Sequence, residues 1–107
     1  MKEFKGTPGP WFEHREGSST VYVEGKLRDG VIQEVAACGP TEAGSEAQSA
    51  NARLIAAAPE LLSVAVRVMN QLHSAGYHSK HKSLNPTECM LYQLESAISK
   101  ALGESNE

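Results

Sequence analysis

A chain of 107 residues has room for one hydrophobic core of ordinary size and too little for two. With 40% hydrophobic and 21% charged residues it falls among globular proteins and is too apolar for a disordered chain. A net charge of -3 argues against broad, sequence-independent nucleic-acid binding, which needs a strongly basic surface. Aromatic residues are only 6%, so the core must come from Leu, Val, Ile and Ala, and burial between copies of the chain would add to it. Cys38 and Cys89 lie far apart in no metal-binding or redox spacing and read as reduced, small apolar residues. The first residues lack the apolar core of a signal peptide, and the longest apolar run, 54–58, is far short of a membrane span. A cytoplasmic protein is expected.

Residues 1–10 read as an extended arm, because Pro8 and Pro10 around Gly9 cannot support a helix. A β-meander of about three strands is predicted over 11–38. Trp11 and Phe12 open it, Gly17 to Ser19 turn it, and Thr20-Val21-Tyr22-Val23-Glu24 has the β-branched and aromatic content of a strand. Gly25 suggests a bulge. Asp29-Gly30 predicts a two-residue hairpin turn, with Val31 to Ala37 returning. After the breaker Cys38-Gly39-Pro40, Ser45 to Gln48 reads as a capping box opening a long helix over 45–76. Apolar residues at 50, 54, 58, 61, 65, 69 and 72 form one face of it. Pro59 must either kink this helix near 56–58 or restart it in a new first turn.

A second helix is predicted over 85–103, with Asn85 as N-cap, Pro86 in the first turn, Glu88 completing a capping box and Leu84 stapling onto Cys89. Leu91, Leu94, Ile98 and Leu102 line its buried face, Gly103 ends it, and 104–107 form a frayed tail. The fold class is α+β: one domain over 1–107, with a small N-terminal antiparallel sheet followed by two C-terminal helices, paired antiparallel.

Reactive machinery is absent from the pattern. No glycine-flanked serine, no phosphate-binding glycine loop and no ordered metal spacing occurs, so neither an enzyme nor a cofactor-dependent protein is expected. His73, His78 and His81 could offer imidazoles to a metal, but beside Lys80 and Lys82 they read better as a solvated basic loop. Arg53 and Arg67 on the long helix could hold a phosphate or carboxylate through a guanidinium fork, or pair with acidic neighbours. Asn51 weakens helix propensity, which a side-chain hydrogen bond would offset.

Thr7-Pro8-Gly9-Pro10-Trp11, followed some forty residues later by Ala50-Asn51-Ala52-Arg53-Leu54-Ile55-Ala56-Ala57-Ala58-Pro59-Glu60-Leu61-Leu62, resembles a group of short bacteriophage and prophage accessory proteins. In layout, a small sheet and then two helices, the chain also resembles the Thoeris anti-defence family, whose members sequester cyclic ADP-ribose-type signals as oligomers. That resemblance implies a non-catalytic sponge for a small nucleotide ligand. Arg53 or Arg67 would hold phosphate, Asn51 would bond a ribose or base edge, and Trp11 or Tyr22 would stack on adenine, in a pocket between subunits. Two other readings stay open. One is an inhibitor of a host defence complex, comparable to anti-CRISPR proteins, acting through Glu42, Glu46 and Glu60 or through Glu104 and Glu107. The other is a structural or regulatory phage homodimer.

Overall fold

A computed structural model describes residues 3–17, 19–80 and 82–104. Its elements run β1 (Trp11–Glu16), β2 (Thr20–Arg28), β3 (Val31–Cys38), α1 (Ser45–Ala56), α2 (Ala58–Ser74) and α3 (Pro86–Ala101). The α+β order is the expected one, with the meander over 11–38 in place. The helix expected over 45–76 is two helices. Pro59 is the second residue of α2, where its missing N–H costs little. The ladder closes on both sides of it, from the Ala57 amide to the Arg53 carbonyl at 3.1 Å and from the Leu61 amide to the Ala57 carbonyl at 3.0 Å.

Packing divides the chain into two compact units, one of Lys5–Leu61 and one made of the described residues among 1–4 and 62–107. In the first, the sheet has the order β1-β2-β3, all antiparallel. Successive side chains of a strand point to opposite faces, so Val21, Val23 and Gly25 of the central strand share one side and are buried there. Their partners across the ladder bring Trp11, Glu13 and Arg15 of β1, and Ala36 and Cys38 of β3, to that same side. Helix α1 covers it with Ala52 and Ala56, which join Val21 and Val23 in the core cluster, while Trp11, Val35 and Ile55 pack around them. Alanine suits these helix positions because no side chain beyond Cβ holds the backbone away from the valines.

The two motifs forty residues apart meet in this unit. A Cβ placed on Gly9 would lie 2.7 Å from Cβ of Pro59, and one on Gly25 would lie 2.9 Å from Cγ2 of Thr7 and 3.2 Å from Cδ1 of Trp11. The Trp11 indole N–H donates to the Thr7 carbonyl at 3.0 Å, closing the arm on itself. The pairing of these motifs thus has a packing cause. Gly9→Ala should force either the arm or the first turn of α2 to shift, at a cost of about 1–2 kcal/mol. A thermal melt should register this as a fall of roughly 5–10 °C in Tm.

Irregularities in the sheet lie beside Gly25 rather than on it. The register shifts between Val23 and Glu24, where Val35 has no partner, and again between Lys26 and Arg28. Gly30 takes φ 75° in the β2–β3 turn while Asp29 stays at negative φ, so this is not the doubly left-handed turn favoured by hairpins of this length.

In the second unit α2 and α3 pack around Met69, Leu91 and Ile98, with Leu62, Ala65, Val66, Leu72, Leu94 and Leu102 beside them. They run antiparallel: Leu62 near the start of α2 shares a cavity with Leu102 past the end of α3, and His73 reaches Glu95 at 2.6 Å. Asn85 caps α3 as expected, its Oδ1 accepting from the Thr87 amide at 2.9 Å. The rest of that start differs from expectation. Glu88 accepts from Ser83 Oγ at 2.7 Å, and Ser83 Oγ in turn accepts from the Asn85 amide at 3.0 Å, so a serine stands between the two members of the box. Leu84 is fully exposed and staples nothing. Both helices close near the expected glycines, with paired bonds from Gly76 to His73 and Tyr77 to Leu72, and from Gly103 to Lys100 and Glu104 to Ser99.

Candidate functional site

The capping box expected at Ser45 to Gln48 does not form. Gly44 is the N-cap and no side chain caps the helix. Gln48 turns inward instead and is 2% exposed. Its Nε2 donates to the Ser19 carbonyl at 2.9 Å and the Cys38 carbonyl at 2.8 Å, and its Oε1 accepts from Arg15 at 3.3 Å. Both amide donors and the acceptor are used, and the two carbonyls fix which way the amide points. One side chain therefore ties α1 to the β1–β2 turn and to the end of β3.

Arg15 reaches this point because β1 alternates: it sits opposite Val21 on the helix-covered side of the sheet. Its guanidinium also donates to Ser49 Oγ at 2.8 Å. Beyond it opens a groove of about 660 Å³ lined by Arg15, Gly17, Ser45, Glu46, Ser49 and Arg53, between the β1–β2 end of the sheet and α1. Ser45, Glu46, Ser49 and Arg53 fall on one flank of α1 at steps of three and four. Among the described residues the groove holds two guanidinium groups and one carboxylate. Among the described residues the Arg53 guanidinium makes no hydrogen bond or ion pair, and the Arg15 guanidinium is oriented by neutral acceptors only. Arginines held in this way suit an anion, since the fork presents parallel donors at carboxylate or phosphate spacing. The amides of the first turn of α1, left without a side-chain cap, add positive potential at the Ser45 end.

Of the five residues singled out in the sequence, Arg53 alone lines this groove. Asn51 is exposed on α1 but two residues from Arg53, hence about 200° away around the helix, on the other flank. Trp11 packs into the core cluster beneath α1. Tyr22 is half-buried on the opposite face of the sheet, across from His14 and Ala37. Arg67 is exposed on α2 in the second unit. His73 is engaged with Glu95, and His81, like Glu107, lies outside the described residues. Sequence reasoning missed Arg15 and misread Gln48. The available signal was period two in β1: counting from Trp11, a core-facing anchor, puts Arg15 on the covered face, where a charge needs a reason.

No helix among the described residues is long and apolar enough to cross a membrane. A family model described as Salmonella phage P22 protein Y8K6 matches residues 1–105. Neither the curated proteins nor the solved structures include a match to the chain.

Proposed function

The chain belongs to the family of Salmonella phage P22 protein Y8K6, and from that premise we propose that it is a non-catalytic phage protein of the host cytoplasm that sequesters a phosphate-bearing, nucleotide-type signal. The observation that carries this reading is the pair of arginines, one from β1 and one from α1, turned into the same groove. Phosphate oxygens would bridge Arg15 and Arg53, with the uncapped amides of α1 behind them. Glu46 in the same groove disfavours a bare polyanion, since its carboxylate repels one end of it. A ribose hydroxyl or base amino group would instead donate to Glu46, which favours a nucleotide over inorganic phosphate. Binding without turnover is the natural chemistry of the lining. Among the described residues of the groove its serines have no histidine, lysine or cysteine beside them, and Ser49 Oγ is engaged by Arg15.

A thermal-shift screen against cyclic and linear nucleotides, followed by mass spectrometry of the ligand released on heating, tests this. A ligand at 100-fold its dissociation constant stabilises by about 2.7 kcal/mol. For a protein of this size that is a rise of roughly 10 °C or more. The ligand should emerge chemically intact, and Arg53→Ala should remove most of the rise while the variant stays folded, because the Arg53 guanidinium makes no hydrogen bond or ion pair among the described residues of its own chain. A flat screen, or a ligand recovered as a cleaved product, would refute sequestration and direct attention to a protein target in the host.

A further inference from the structure

Core packing and the groove together leave part of the second motif unexplained. Ala52, Ile55 and Ala56 face the sheet and Pro59 meets Gly9, whereas Leu54 is 66% exposed and Leu61 55% exposed. The two leucines are seven residues apart on the outer side of the α1–α2 junction, with the small side chains of Ala57 and Ala58 between them. Two exposed charges share this spacing. Arg53 and Glu60 flank the same side of the leucine stripe, are too far apart to pair with each other, and make no ion pair elsewhere among the described residues.

We propose that this face is a homodimer interface, in which a second copy of the chain packs its own α1–α2 junction antiparallel across it. The argument is self-complementarity. Under a two-fold axis perpendicular to the helix, residues equally far on either side of the axis meet their symmetry mates. Leu54 and Leu61 are centred within about half a residue of Ala57, and so are Arg53 and Glu60. One axis at Ala57 therefore sets Leu54 against Leu61 of the second copy and Arg53 against Glu60 of the second copy, each twice. The alanines at the axis let the two backbones approach where they cross. A parallel arrangement would oppose arginine to arginine and glutamate to glutamate, so the charges select the antiparallel one. A different protein as partner would need no such symmetry about a single residue. The inference does not rest on the nucleotide reading, although Arg53 borders both surfaces; its five donors can serve a carboxylate on one side and the groove on the other.

Analytical ultracentrifugation of the full chain tests it. The wild type should sediment as a dimer, and Glu60→Arg, which opposes arginine to arginine twice, should raise the dimer dissociation constant by about tenfold or more. Arg53→Glu should do the same, and the double variant R53E/E60R, with both pairs reversed, should restore the dimer. Circular dichroism identical to wild type shows that the single variants are folded. Arg15→Ala should leave sedimentation unchanged, and Glu60→Arg should leave any nucleotide-induced thermal shift in place, so failure of one idea is separable from failure of the other. A monomeric wild type at its highest soluble concentration overturns the interface, as does a dimer indifferent to Glu60→Arg or a charge swap that fails to rescue.

Discussion

Gln48→Leu should lower the stability of the sheet-and-α1 unit by about 3 kcal/mol, more than any surface substitution in the chain. Leucine fills nearly the same volume, so the loss is one of hydrogen bonding and not of packing. In the wild type the amide satisfies the Ser19 and Cys38 carbonyls at 2.9 and 2.8 Å and accepts from Arg15. Leucine leaves both carbonyls beside an apolar side chain, and an unsatisfied buried group costs about 1–3 kcal/mol. Gln48→Glu should be no rescue: a carboxylate would face the two carbonyl oxygens, acceptor against acceptor. Trp11, the only tryptophan, packs in the same cluster, so its fluorescence reports urea unfolding of this unit directly. A change below about 0.5 kcal/mol would mean that water replaces the amide at both carbonyls without cost. The same variant should loosen Arg15, which would keep only its bond to Ser49.

Leu91→Ala is the second large effect. Leu91 is completely buried between α2 and α3, where Met69 and Ile98 are the other buried apolar side chains among the described residues. Removing three carbons from such a site leaves a cavity and costs about 3 kcal/mol, within the 2–5 kcal/mol common for leucine truncation. A helix pair with so few buried side chains has little to redistribute. The helical circular dichroism signal should melt on the order of 15 °C lower. Leu91→Met, which conserves volume, should recover most of that loss. If truncation and the methionine variant melt alike, shape at this site does not matter and Leu91 is not the packing centre of α3.

What could be read from the chain and what could not divide along physical lines. The strands and α3 were legible because their signals are local: β-branched runs between Gly-Ser-Ser and Asp-Gly, and Asn85-Pro86 at a helix start. The break at Pro59 was legible as an alternative, since proline chemistry permits either a kink or a restart with proline in the first turn, and the chain takes the restart. Gln48 was not legible. Its spacing from Ser45 satisfies the capping-box pattern, but the box needs an N-cap at Ser45, and the N-cap is one residue earlier, Gly44 with φ 93°, so that Ser45 is already the first helical residue. Freed from the cap, the amide found two carbonyls that the sheet supplies from residues 29 and 10 positions away in sequence. The groove was half legible. Arg53 stood out on the helix, whereas Arg15 became visible only when β1 register placed it beneath α1. Likewise Trp11 and Tyr22 both looked able to stack on a base, and only the pleat assigns them to opposite faces of the sheet.

The most direct test of sequestration at the two-arginine groove is a titration of isotopically labelled protein followed by amide chemical shifts, with the nucleotide that gives the largest thermal shift. Saturable perturbations should cluster at Arg15, Gly17, Ser45, Glu46, Ser49 and Arg53, and should vanish in Arg53→Ala. Saturable perturbations centred on Tyr22 or Arg67 instead, or none for any nucleotide, would contradict the assignment of the groove as the ligand site.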